Sequence, residues 1–307
     1  MSNDQSVFRR FAGRPLIIGL SFVLIAVLSL GLIACGDDDD DDGGGGGSTL
    51  ARAQEDGVIT IGFANEAPYG FADSSGEATG EAPTVAKAIL AELGINEVVS
   101  VVVPFGNLIP GLEAGRFDII AAGMFINPGR CEQILFSDPD YCVPQAFGVE
   151  AGNPMGIMTF DDIAANPDIK VGIPTGGVED QYARDAGATD DQITNFDTLQ
   201  DAGDALAAGR VDAIAATSLA IQAELERLGD DGLEATPGFD VVIDGKPASG
   251  CGGFGFRKSD DDLHKAFNDK LIALKDSDGI RPLVEEFGFD DEVDAARGRT
   301  AEELCTE

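Results

Sequence analysis

The 307-residue chain has no Trp, one His and three Tyr, and only 20 Lys and Arg stand against 55 Asp and Glu. Each shortage narrows the chemistry. Without Trp, recognition by aromatic faces falls to 18 Phe and the few Tyr. The lone His264 and the irregular cysteine spacing argue against a zinc site. No Gly-x-x-x-x-Gly-Lys loop occurs, so any ATP hydrolysis belongs to a partner. A net charge of -35 repels nucleic acid and anionic membrane, which argues against DNA or RNA binding. The acid excess reads as a solvated, solubilising surface, and a high-salt habitat would fit it too. Hydrophobic residues make up 44%, enough for a sizeable core in one large domain or two ordinary ones.

The first residues carry an address. Arg9, Arg10 and Arg14 precede an apolar run over 15–34 that ends in Leu32-Ile33-Ala34-Cys35. Small residues before a Cys at this point resemble a lipobox, which predicts cleavage after residue 34 and lipidation of Cys35. The alternative is an uncleaved anchor, since the run is about long enough to span a bilayer. Either reading puts the remaining chain outside the cytoplasmic membrane. Six Asp (37–42) and five Gly (43–47) follow, a self-repelling and conformationally free stretch expected to be a tether over 35–55.

Cys131, Cys142, Cys251 and Cys305 remain, and an even number in an oxidising compartment predicts two disulfides with three connectivities open. The short loop favours Cys131–Cys142, leaving Cys251–Cys305.

From residue 58 onward, β-branched runs alternate with helical periodicity, the pattern of an α/β fold with mostly parallel strands. One set comprises strands at 58–63, 98–103 and 118–121 with helices at 81–93 and 108–114. A second comprises strands at 171–174, 193–196 and 213–216 with helices at 178–185, 198–208 and 218–228. Extended apolar segments at 141–149 and 252–257 connect them, and the helix at 260–275 places Leu263, Phe267, Leu271 and Leu274 on one face. Two lobes joined by two crossings make a hinge, with ligand expected at the carboxyl ends of the strands. The expected division is signal peptide 1–34, tether 35–55, first lobe 56–145 and 254–307, and second lobe 146–253.

Four stretches carry a resemblance: Ile61-Gly-Phe-Ala-Asn-Glu-Ala-Pro-Tyr-Gly-Phe71, Gly80-Glu-Ala-Pro-Thr-Val-Ala86, Phe105-Gly-Asn-Leu-Ile-Pro-Gly-Leu-Glu-Ala-Gly-Arg-Phe-Asp118 and Ala122-Gly-Met-Phe-Ile-Asn-Pro-Gly-Arg-Cys131. They resemble the solute-binding proteins of polar-amino-acid ABC importers, and within them the ectoine/hydroxyectoine-binding branch. The resemblance implies a two-lobed, type II periplasmic-binding-protein fold without a cofactor. It also implies a small-molecule ligand and a membrane permease with its ATPase subunit as partners. Arg130 matches the carboxylate-binding arginine, whose fork grips a carboxylate as Lys cannot. Tyr69, Phe105 and Phe125 match the aromatic cage, each face contributing about 0.5–2 kcal/mol to a desolvated cation. Glu66 would accept from ring N–H groups. Thr175 and Gly177 lie at a strand-to-helix turn whose backbone N–H groups would meet the ligand's carboxylate. Phe63 and Phe71 read as core, and Asn65 as turn chemistry.

One departure stands out. Amino-acid binders usually carry an Asp after the strand to hold the ligand's ammonium, whereas Gly209-Arg-Val-Asp-Ala-Ile-Ala-Ala runs into Thr217. Burying a primary ammonium without its anion is costly, so a ring lacking one fits better. Asp212 reads as structural. A polar or basic amino acid or a betaine-like solute is the alternative within the fold. An enzyme of the dehydratase type is disfavoured because His264 lies on the C-terminal helix, away from the cleft. A sensor domain is disfavoured because no signalling module follows. The expectation is a monomeric binding protein, not an enzyme.

Overall fold

The computed structural model describes residues 47–306 apart from 244, 245 and 249. The expected signal peptide over 1–34, Cys35 and the Asp/Gly run up to residue 46 lie outside the described residues. Among the described residues no helix is long and apolar enough to cross a membrane.

Two sheets, of six and five strands, organise the chain. In the first, Val58–Phe63 pairs in parallel with Glu97–Val102 on one side and Ile119–Phe125 on the other. Cys251–Phe256 returns antiparallel onto Ile119–Phe125, and the short strands Leu135–Phe136 and Tyr141–Cys142 pair with its far side. In the second, Val171–Pro174 lies in parallel between Ile193–Phe196 and Ala213–Thr217. Gln145–Glu150 adds antiparallel to Ala213–Thr217, with Leu233–Ala235 at the edge. Both sheets thus share one plan: first parallel strand in the middle, second outside it, third inside, then an antiparallel crossing strand. The strands Val171–Pro174 and Ala213–Thr217 are buried along their whole length. That explains why they read as continuous apolar runs, since helices cover both faces of a parallel sheet.

The helices follow their periodicity. Glu81–Glu92 buries Val85, Ile89 and Leu90, and Asp261–Asp276 buries Leu263, Phe267 and Leu271, with Leu274 half-buried at its end. Phe63 is in the core, whereas Phe71 is half-buried with its ring edge-on to Phe287. Three short helices that carry too little periodicity to be read in the sequence close the C-terminal segment: Arg281–Val284, Asp291–Ala295 and Ala301–Leu304.

Two expectations need correction. The tether does not run to residue 55, because Thr49–Asp56 is a helix. The Ser48 hydroxyl caps it by accepting from the Ala51 N–H, left-handed Gly57 ends it, and Ala53 packs into the core. The Thr49 hydroxyl also donates to Asp260 (2.9 Å). The disulfides are Cys131–Cys305 and Cys142–Cys251, not the short-loop pairing. The reason lies in the sheet. Residues between Cys131 and Cys142 run out to the sheet edge through Leu135–Phe136, so they form no closed loop. Cys142 instead stands in register opposite Cys251 on the neighbouring strand, and the Val143 N–H donates to the Gly250 carbonyl (2.8 Å). The two crossings therefore run side by side and are covalently joined. Cys131 ends the short helix Pro128–Cys131 and ties it to the C-terminal turn.

Peptide mapping under non-reducing conditions should find fragments linking residue 131 to 305 and 142 to 251, and none linking 131 to 142. Replacing Cys131 and Cys305 by Ser together should lower stability by about 2–5 kcal/mol in denaturant titration, as loss of a native long-loop disulfide does.

Candidate functional site

Residues at or just beyond the carboxyl ends of parallel strands from both sheets converge on one cavity between the lobes. That is the place expected for a small-molecule site in such folds. Of the residues singled out in the sequence, Glu66, Tyr69, Phe105, Phe125, Arg130, Gly177 and Thr217 line it, and Thr175 does not.

The first lobe supplies the aromatic side. After Phe63 the chain makes a tight turn in which Glu66 and Gly70 exchange backbone hydrogen bonds (2.8 and 3.0 Å) across a cis Ala67–Pro68 peptide. Asn65 sits at φ 54° and its side chain accepts from the Ala72 N–H, the turn role expected of it. The turn drives Tyr69 inward to 1% exposure, against the rings of Tyr141 (5.2 Å) and Phe289 (5.3 Å). Room for that ring comes from Gly123, at φ +64°, where an added Cβ would fall 2.3 Å from Tyr69. The Tyr69 hydroxyl donates to the Thr217 hydroxyl (2.8 Å), a bond from one lobe to the other.

Arg130 is 9% exposed in the short helix Pro128–Cys131, whose start is capped by the Asn127 side chain. Its guanidinium donates to the carbonyls of Phe125 (2.7 Å) and of Gly176 in the second lobe (2.9 Å), and lies 5.4 Å from the centre of the Phe105 ring. Two of its five N–H groups are engaged in those bonds, so donors remain for an anion. Burial lowers its pKa, but a guanidinium stays charged. Phe105 thus faces a protein cation, and part of its cation–π capacity orients Arg130.

The second lobe contributes a group the sequence reading missed. Glu179, in the first turn of the helix Glu179–Asp185, is buried and lines the cavity. Gln145, with its amide nitrogen turned inward, donates to Glu179 Oε1 (2.9 Å) and to the Ala216 carbonyl (3.0 Å). A Cβ at Gly177 would fall 2.4 Å from Glu179 Oε2, so Gly177 makes room for this carboxylate. Burial pushes the Glu179 pKa up to about 7, with its own backbone N–H, Arg130 and Gln145 pulling the other way. Burial also pushes the half-buried Glu66 up to about 8, with the charges of Glu179 and Glu224 adding to the rise. Glu224 lies further back, buried and ion-paired to Arg227 (2.7 Å).

Two inferences from the sequence change accordingly. The N–H groups of Thr175 and Gly177 are donated to the carbonyls of Phe196 (2.7 Å) and Pro174 (3.0 Å), so neither is available to an anion. Thr175 is exposed to solvent and its carbonyl abuts Gly106 of the first lobe. The second lobe is also not without a carboxylate. Thr217 does stand where an Asp would, capping the helix Ser218–Leu228 through the Ala220 N–H, but Glu179 brings an acid to the same cavity. An acid in a first helical turn ordinarily complements the helix dipole, which hides the burial of Glu179. The adjacent Gly176-Gly177 pair was the available signal. Asp212 is structural, accepting from the Lys170 N–H (2.8 Å), and His264 bonds the Phe136 carbonyl, outside the cavity. Among the described residues no cluster of metal-ligating side chains occurs.

Fold and cleft define a solute-binding protein, and the chain belongs to the bacterial extracellular solute-binding proteins, family 3, whose model matches residues 59–290. It is 36% identical over 261 residues to the probable amino-acid ABC transporter periplasmic-binding protein y4tE of Sinorhizobium fredii, spanning 84% of this chain and 86% of that one. Among solved structures it resembles EhuB in complex with hydroxyectoine, with a TM-score of 0.77, 36% identity, and 84% and 97% of the two chains covered. It also resembles the ancestral amino acid-binding protein AncCDT-1, described as a precursor of cyclohexadienyl dehydratase, with a TM-score of 0.67, 29% identity, and 78% and 99% covered.

Tyr69→Phe should weaken binding of a cleft ligand by about 0.5–1.5 kcal/mol, the worth of one net hydrogen bond, with little change in melting temperature. Gly123→Ala should both destabilise the fold and abolish binding, because Tyr69 has nowhere to go. Calorimetric titration beside thermal melting separates the two outcomes.

Proposed function

We propose that this chain is an extracytoplasmic lipoprotein, anchored through Cys35, that binds ectoine or hydroxyectoine and delivers it to an ABC import permease. The observation that carries the reading is the composition of the cavity: one buried guanidinium (Arg130), three aromatic residues (Tyr69, Phe105, Phe125) and a carboxylate (Glu66) lining a single site. Ectoine is a zwitterion with a carboxylate on a ring whose positive charge is spread over an amidinium. Arg130 would take the carboxylate through its remaining N–H groups, the rings would cover the flat cation, and Glu66 would accept a ring N–H. The likeness to EhuB, solved with hydroxyectoine, supports the same ligand class. An empty open cleft would load ligand on the first lobe, and the second lobe would close with the Tyr69–Thr217 and Arg130–Gly176 bonds across the gap. Closure excludes water, which strengthens the charged contacts and gives the permease a shape distinct from the open one.

Glu179 favours a second reading, a basic amino acid, since a buried acid in the second lobe suits a ligand with more positive charge. Calorimetry of the mature body with ectoine, hydroxyectoine, glycine betaine, glutamine and arginine decides between them. The expected result is tight ectoine binding, weakened about tenfold or more by Arg130→Ala, where charge-assisted bonds are lost, and less by Phe125→Ala. Arginine binding with ectoine silent would overturn the ectoine assignment and leave the family intact.

A further inference from the structure

Two carboxyl groups lie buried in the first lobe without lining the cavity: Glu81 and Asp140, 1% and 2% exposed. They stand within hydrogen-bonding reach of each other. Neither oxygen of Glu81, nor Oδ2 of Asp140, meets a donor among the described residues. The Lys275 ammonium, whose charge reaches Asp140, donates instead to the carbonyls of Pro139 (2.6 Å) and Arg299 (3.4 Å). Two adjacent buried carboxylates without a donor cannot both stay ionised, because their charges repel and each is already desolvated. One proton shared between them removes a charge and supplies the missing donor.

The backbone around the pair shows what such a bond joins. The N–H groups of Glu81 and Ala82 donate to the carbonyls of Pro68 (3.0 Å) and Tyr69 (2.9 Å), so the helix Glu81–Glu92 starts against the turn that presents Tyr69. Asp140 donates its N–H to the Gly252 carbonyl (3.1 Å) on the returning crossing and directly precedes Tyr141. The Tyr141 ring packs on Tyr69, and its hydroxyl donates to the carbonyl of Gly123 (2.6 Å), the residue that makes room for Tyr69.

We propose that Glu81 and Asp140 are positioning residues that share one proton: the Glu81 O–H donates to the Asp140 carboxylate, and this bond fixes the Tyr69 turn to the crossing segment that carries Tyr141. Burial, and after it the charge of Asp140, raise the Glu81 pKa well above the ordinary 4.5. Burial raises Asp140 too, against the pull of its bond with Glu81, of its own backbone N–H and of Lys275. The other titratable groups facing the pair are the phenols of Tyr69 and Tyr141, and around those phenols stand Glu66 and Glu292. The folded protein thus keeps a proton that the unfolded chain releases above about 4.5. The pair's contribution to folding therefore falls as the pH rises, by about tenfold in the folded-to-unfolded ratio per pH unit, until the proton leaves the folded state.

Infrared difference spectroscopy of wild type against Glu81→Gln at neutral pH reads that proton, since the bands of Glu66 and Glu179 cancel. Wild type should show a protonated-carboxyl carbonyl band that the variant lacks, and no such difference overturns the shared proton. The Gln amide can replace the O–H as donor, so Glu81→Gln should stay folded and lose stability with rising pH less steeply, by about tenfold per pH unit. Equal slopes also overturn it. Tyr69 and Tyr141 are two of three tyrosines in a chain without Trp, so near-ultraviolet circular dichroism reads their positioning. Glu81→Gln should keep the tyrosine signal and Glu81→Met, which has no donor, should lose much of it; a folded Glu81→Met with the wild-type signal overturns the positioning role. If Glu81→Met does not fold, raising the pH reads the same role. The wild-type signal should then weaken as the proton leaves while Glu81→Gln holds, and parallel titrations overturn it.

Discussion

The guanidinium of Arg130 is nearly dry, and that desolvated charge constrains everything around it. A cation between two lobes must be held by dipoles and rings that the protein itself provides. Phe105 covers it, the Phe125 carbonyl bonds it from its own lobe, and the Gly176 carbonyl bonds it from the other. The last contact exists only when the lobes meet. The same side chain that would grip a ligand's carboxylate is thus also part of the latch. The carboxylates act in the opposite sense, since Glu66 and Glu179 line the one cavity from opposite lobes and repel when both are ionised. A ligand with a negative end and a diffuse positive end relieves both conditions at once. That is a physical reason for a zwitterion to suit this cleft better than an anion or a simple cation.

The hinge sets how that relief becomes motion. Its two crossings are adjacent antiparallel segments joined by Cys142–Cys251, so they cannot slide apart while the lobes rotate. Any rotation of the lobes would have to be absorbed in the few residues between the sheets, around Val143–Pro144 on one crossing and near Gly250 on the other, which are joined by the Val143 N–H bond to the Gly250 carbonyl. Tyr141 belongs to the same segment and packs on Tyr69, with Phe289 closing the aromatic group from the C-terminal region. The Tyr69 ring is therefore braced by the crossing segment and by a part of the chain more than two hundred residues away.

Much of this was legible in the residues. The β-branched runs and helical faces gave the order of both sheets' main elements because burial imposes a period that the sequence cannot hide. The family resemblance placed Arg130 and Glu66 among the expected cleft residues, and both line the cavity. What escaped depends on contacts between distant segments. Disulfide pairing follows strand register, which placed Cys142 beside Cys251 regardless of loop length. Phe289 lies in short C-terminal turns without periodicity. Glu179 looks like an ordinary helix-start acid until the fold folds it inward past Gly177. The amides of Thr175 and Gly177 failed as anion donors because the strand end and turn already use them.

On the proposed reading the cavity holds a zwitterion by its two ends. A crystal structure of the mature body with ectoine measures that directly. The expected result is a ligand between the lobes, its carboxylate on the Arg130 guanidinium and its ring nitrogens turned toward Glu66. A ligand bound with its ring nitrogens toward Arg130, or seated outside this cavity, would contradict it.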